Sequence, residues 1–147
     1  MSERIPSFLE DLRGLDYEVI HAESFQAVVC SPEEVRYVIA GAGDWIQASQ
    51  TIVDGEDVTE SARAKIAGLA LRVQSRFLGC RFCFGEDGSL NAVVDIFPGT
   101  PASLVRLVLG QLGYIAASVV PLFAEARVRE VCEDRIELAL GPTGASV

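Results

Sequence analysis

The stretch DVTESARAKIAGLALRVQSRFLGCRFCFGEDGSLNAVVDIF, residues 57–97, holds two hydrophobic periods in succession. Over its first half, Val58, Ala62, Ile66, Leu69, Val73 and Phe77 recur in steps of three and four, which draws one apolar stripe down a helix. Glu60, Arg63, Lys65, Arg72, Gln74 and Arg76 fall on the opposite face, so the spacing predicts a helix that lies on a core. Asp57 is the expected cap, with Glu60 three residues on reaching back as in a capping box.

After Arg76 the period becomes two. Leu78, Cys80, Phe82 and Phe84 share one side of a strand, with Gly79, Arg81 and Cys83 on the other. A second strand places Leu90, Ala92, Val94 and Ile96 on one side and Asn91, Val93, Asp95 and Phe97 on the other. A two-residue Asp87-Gly88 turn would set Phe84 against Asn91 and mix the faces. A three-residue loop of Glu86, Asp87 and Gly88 pairs Phe84 with Leu90 and Phe82 with Ala92, with Gly88 in the left-handed position. Arg81 then stands opposite Val93 and diagonal to Asp95, within reach of a cross-strand ion pair.

Working outward, residues 5–13 read as a short helix through Phe8, Leu9 and Leu12 that stops at Gly14. Tyr17 to Ala22 and Phe25 to Cys30 read as strands around a Glu23-Ser24 turn. Ser31-Pro32-Glu33-Glu34 forms the next turn, Val35 to Ala40 a third strand and Trp45 to Val53 a fourth. Downstream, Thr100 and Pro101 are expected to cap and open a helix to about Ser118, with Pro121 interrupting it and helical pattern resuming to Cys132. Arg135 to Leu140 alternates and is read as a short last strand, and residues 141–147 as a frayed tail. The fold class is therefore α+β, an antiparallel sheet flanked by helices in the order α-β-β-β-β-α-β-β-α, over a single domain of residues 1–147.

A chain of 147 residues can bury a core without metals or disulfides. Its net charge of -9 argues against direct nucleic-acid binding, which needs a basic face, and favours a basic partner. Half the residues are hydrophobic and only 22% charged, which excludes disorder and leaves an apolar surplus for an interface. Met1 to Glu10 has no apolar run of signal-peptide length, so the expected location is the cytoplasm and the four cysteines are expected to be free thiols.

Several local signals have structural explanations. Cys80 and Cys83 have the spacing of a zinc or dithiol pair, but positions three apart in a strand face opposite sides, and Cys30, Cys132 and His21 form no second pair. Gly41-Ala42-Gly43 follows a strand as in a dinucleotide fold, yet Ile46 holds the place of the third glycine and another strand follows, so this is a turn. Leu107 to Ala124 carries no charge, but Gln111, Ser118 and Pro121 dilute it and its flanks are not basic; a helix in a core or dimer interface is expected, with no membrane span. Asp54, Glu56, Asp57 and Glu60 cluster where a turn meets a helix and serve capping and the helix dipole. His21, without a placed nucleophile, supports no triad. Trp45 lies on the polar side of its strand, with Gln47, Ser49 and Thr51, which fits either a strand-end Trp packed over a core edge or an aromatic anchor for a partner.

The run from Lys65 to Phe77 followed by Cys80 to Ile96 resembles the YbjN-like family, and the order of elements resembles the class I type III secretion chaperone fold. Arg76 and Phe77 at the helix end, Asp87 and Gly88 in the turn, and Asp95 late in the second strand match that pattern. Pro121 and the last strand depart from it. The resemblance implies a non-enzymatic, homodimeric chaperone or adaptor that holds a segment of a protein client, in stress response or regulation, without cofactor. Trp45, Val93, Phe97, Leu107 and Tyr114 are the candidate contact residues. The alternative is a small-ligand-binding protein, or a thiol- or metal-dependent enzyme using Cys80 and Cys83.

Overall fold

The computed structural model describes residues 4–141. Along them run α1 (Arg4–Gly14), β1 (Glu18–Ala22), β2 (Gln26–Cys30), β3 (Arg36–Ala42), β4 (Trp45–Val53), a 3-10 turn (Gly55–Asp57), α2 (Glu60–Gln74), β5 (Cys80–Phe84), β6 (Leu90–Ile96), α3 (Ala102–Ala126) and α4 (Glu133–Leu140). The architecture is α+β, with a six-stranded antiparallel sheet in the order β1-β2-β3-β4-β6-β5. The described residues divide into two compact units, one of residues 4–50 with Val93–Gly113, the other of Thr51–Ala92 with residues 114–141.

In the first unit the strands alternate as half-buried strands must. Ala27 and Val29, Tyr37 and Ile39, and Ile46 and Ala48 are buried, and the register joins Ala27, Ile39 and Ala48 into one cross-strand row with the large side chain between two small ones. Burying Ile39 completely contributes roughly 1.5–3 kcal/mol. α1 adds Ile5, Phe8, Leu9 and Leu12 to this core. The Tyr37 hydroxyl donates to the Leu109 carbonyl at 2.8 Å, and burial pushes its pKa up to about 12. Gly113 makes room for it, since a Cβ there would lie 2.7 Å from the Tyr37 oxygen.

Two local expectations need correction here. Phe25 is not in a strand: the Glu23 N–H donates to the Gln26 carbonyl at 2.7 Å, so Ser24 and Phe25 form the turn and the phenyl ring is exposed. Thr100 does not cap α3, because its hydroxyl donates to the Phe97 carbonyl at 2.7 Å; the carbonyl of Pro101 accepts from Leu104 and Val105 instead. The Ser31 turn is as read, with Ser31 bonded to Val35 through both backbone and side chain and Glu34 at φ 67°.

In the second unit α2 buries Ala62, Ile66, Leu69, Ala70 and Val73, the expected stripe. Its cap is Thr59, whose hydroxyl accepts from the Ala62 N–H at 3.2 Å. Asp57 is drawn into the preceding 3-10 turn and pairs with Arg127 at 3.0 Å. The hairpin has the three-residue loop: the Gly85 N–H donates to the Ser89 carbonyl at 2.8 Å, the Gly88 N–H to the Gly85 carbonyl at 3.0 Å, and Gly88 has φ 85°. Leu78, however, is fully exposed and Gly79 has φ 80°, so β5 starts only at Cys80.

Three further corrections concern this unit. α3 is continuous through Pro121, whose missing N–H costs about 3 kcal/mol in a helix interior. Val119, Leu122 and Phe123, all fully buried, offset that cost and hold the helix together. Residues 133–140 form a helix and not a strand, with Ile136 buried and Leu138 exposed. Arg76, expected on the solvent face, is buried. Gly141 ends the described residues, so the expected frayed tail at 142–147 lies outside them.

Candidate functional site

The first unit contains a cleft of about 470 Å³. Its position follows from two tight connections. The Gly43-Asp44 turn between β3 and β4 holds Gly43 at φ 67°, and the Trp45 ring lies over it, 3.4 Å from where a Cβ would stand. A side chain at 43 would thus strain the turn and push the indole away. The second connection, Phe97-Pro98-Gly99-Thr100, leaves β6 with Gly99 at φ 84° and brings Phe97 to the same cleft.

Phe8, Ile46, Ile96 and Val105 are buried and give the cleft an apolar floor. Trp45 and Phe97 form an aromatic wall, their ring centroids 5.9 Å apart and their planes tilted by 49°. Phe97 is 58% exposed. The indole N–H of Trp45 donates to Asp95 Oδ1 at 3.1 Å, which fixes the orientation of the ring. Ser7, Asp11, Asp44 and Thr100 add polar groups to the lining, and the two aspartates are exposed. Among the described residues no hydrogen bond or ion pair engages the carboxylate of either aspartate, and no basic side chain lines the cleft.

Of the five residues singled out from sequence, Trp45 and Phe97 meet here, although 52 positions separate them. Val93 is buried in β6, 6% exposed, and does not line the cleft. Leu107 and Tyr114 are 57% and 74% exposed on α3 and do not line the cleft. Asp11, Asp44 and Pro98 escaped the sequence reading. Asp44 and Pro98 adjoin Trp45 and Phe97 in the chain, but no local pattern links Asp11 to Asp44.

The thiol pair separates as strand geometry requires, Cys80 buried and Cys83 exposed, and all four cysteines are unbridged. Among the described residues no three His, Cys, Asp or Glu side chains gather closely enough to hold a metal ion. His21 is exposed, with Nε2 3.2 Å from Glu23 Oε1. The helix α3 is long and apolar enough to cross a membrane by length and composition, with 39% of its most apolar window buried within the fold; core helices of soluble proteins pass the same test. No protein-family model matches this chain, and no curated protein matches it either.

Proposed function

We propose that this chain is a non-enzymatic protein-binding module, a homodimeric chaperone or adaptor that holds a segment of a partner protein, akin to the YbjN-like proteins and secretion chaperones its sequence resembles. The observation that carries the reading is the aromatic wall of Trp45 and Phe97 over an apolar floor, an anchor site at the end of the sheet that nothing among the described residues fills.

Side-chain docking in this cleft is favoured over addition of a strand to the sheet. The edge strand β1 carries an irregularity between Val19 and His21, and the edge strand β5 has its Phe82 N–H donated to Gln74 Oε1 at 2.8 Å. Both edges are thereby obstructed as templates for a partner strand.

The homodimer rests on α3. Two copies of a chain with net charge -9 repel each other, so they approach best through a surface without charge. Leu107, Tyr114 and Val120 are exposed on a helix that is uncharged from Leu107 to Ala124. The test is light scattering at several concentrations, with and without reductant, on the natural chain and on Leu107→Glu/Tyr114→Glu. A dimer indifferent to reductant that the double substitution dissociates, with unchanged circular dichroism, is the expected result. A strictly monomeric natural chain would refute the dimer.

A further inference from the structure

We propose that the cleft beside Trp45 takes the cationic head of an arginine or lysine side chain presented by an extended segment of the partner protein. This rests on the protein-binding reading above and gives that reading a ligand chemistry.

The lining matches a basic side chain part by part. Arginine and lysine carry an apolar stem under a charged head, and the cleft has an apolar floor under an acidic, aromatic mouth. Trp45 is the best aromatic acceptor for a cation. Its N–H donates to the Asp95 carboxylate, a hydrogen bond that makes the ring more electron-rich. The Phe97 ring is tilted by 49° from the indole, so the two rings do not stack flat against each other.

Charge decides between classes of ligand. Asp11 and Asp44 line the cleft with no counter-ion among the described residues, while no lining residue is basic. An acidic segment is repelled there, both by the two aspartates and by the net charge of -9. A neutral apolar side chain would leave the carboxylates unanswered. A planar guanidinium stacks on the indole and forks toward carboxylates, so arginine is preferred to lysine. The same chain already uses this contact internally, with Arg63 Cζ 4.2 Å from the Phe84 ring centroid.

Trp45 is the only tryptophan, so its fluorescence reports the cleft alone. The full chain is titrated to millimolar concentration with a five-residue glycine-serine peptide, blocked at both ends, whose central residue is arginine, norleucine or glutamate, and with arginine amide. A saturable change in emission is expected for the arginine peptide, absent for the glutamate peptide. It should weaken at high salt and by about tenfold in Asp11→Asn/Asp44→Asn. Both aspartates are exposed, so circular dichroism of that variant should match the natural chain.

Equal response to norleucine and arginine, or no change in the double asparagine variant, overturns the cationic ligand while leaving a peptide site. Arginine amide binding as tightly as the peptide overturns the assignment to a protein segment. Silence of Trp45 toward every probe overturns the cleft as a ligand site, and leaves the dimer to stand or fall by solution mass.

Discussion

Trp45 and Arg76 each set a large, polar-tipped side chain against a carboxylate, and there the likeness ends. Arg76, its side chain 4% exposed, donates from Nη2 to Glu133 Oε1 at 2.7 Å and from Nη1 to the Gly141 carbonyl at 2.6 Å. Arg72 takes the other oxygen of Glu133 at 2.7 Å and the Val131 carbonyl at 2.6 Å. One carboxylate is thus held between two guanidiniums, and the chain's own groups answer the charges. Around Trp45 the indole is half-buried, the Phe97 ring is exposed, and two aspartates have no counter-ion among the described residues. A cluster saturated by its own chain fixes a fold, whereas one left unanswered has interaction free energy still to give to a ligand.

The most damaging change should fall in the saturated unit. A Cβ at Gly55 would lie 2.2 Å from the Asp87 carbonyl oxygen and 3.3 Å from the Ser89 nitrogen, both backbone atoms of the hairpin loop. Gly55→Ala should therefore cost about 3 kcal/mol in chemical denaturation. In the other unit a Cβ at Gly41 meets only Ile5 Cδ1 at 3.6 Å, an ordinary contact, so Gly41→Ala should stay within about 0.5 kcal/mol. Equal costs would erase the contrast between the two.

Next in size is Arg76→Ala. Its guanidinium is itself buried and bonds a carboxylate and a carbonyl, and charge-assisted bonds of this kind are worth about 2 kcal/mol. Urea denaturation should show a loss of that order. A loss below half of it would mean that the network only decorates the surface of α2.

How legible all this was depends on how local the cause is. The hairpin register could be read because the parity of Phe84 and Leu90 and the need for a glycine at 88 sit within seven residues. The buried state of Arg76 could not, because its carboxylate lies 57 positions away on α4 and α4 itself was read as a strand. Ile136, Leu138 and Leu140 alternate, but Glu-Leu-Ala-Leu favours a helix, and one fully buried residue, Ile136, is enough to seat it. Pro121 misled for a related reason: the rule that proline ends helices is local, and the burial of Val119, Leu122 and Phe123 that overrules it is tertiary. At the cleft, sequence indicated the side of Trp45 but not its company of Asp11, Asp44 and Phe97.

A smaller effect is expected on the open side. Phe97→Ser removes an exposed ring whose main contact is Trp45, so it should cost about 1 kcal/mol of stability while shifting the emission of Trp45 toward that of a hydrated indole. A cost as large as that of Arg76→Ala would show that the aromatic wall is built for stability, and would remove the distinction drawn between the two sites.

The smallest effect concerns pH. The Arg72 hydrogen bond, with Arg76 adding to it, holds the Glu133 carboxyl below its ordinary value of 4.5. A carboxyl whose folded pKa is depressed contributes stability that is fully present above the unfolded value and lost as pH falls through the folded one. Glu133→Gln lacks this contribution at every pH. The gap in denaturation midpoint between the natural chain and the variant should hold from neutral pH down to about 4.5 and close below it. Asp87, held low by the Ser89 hydroxyl, acts in the same direction in both chains and cancels from the difference. Since Glu133 is open to solvent, added salt should narrow the gap. A gap that persists unchanged at pH 3 would mean that Glu133 acts through its shape and hydrogen bonds, and that charge is not what separates this cluster from the cleft.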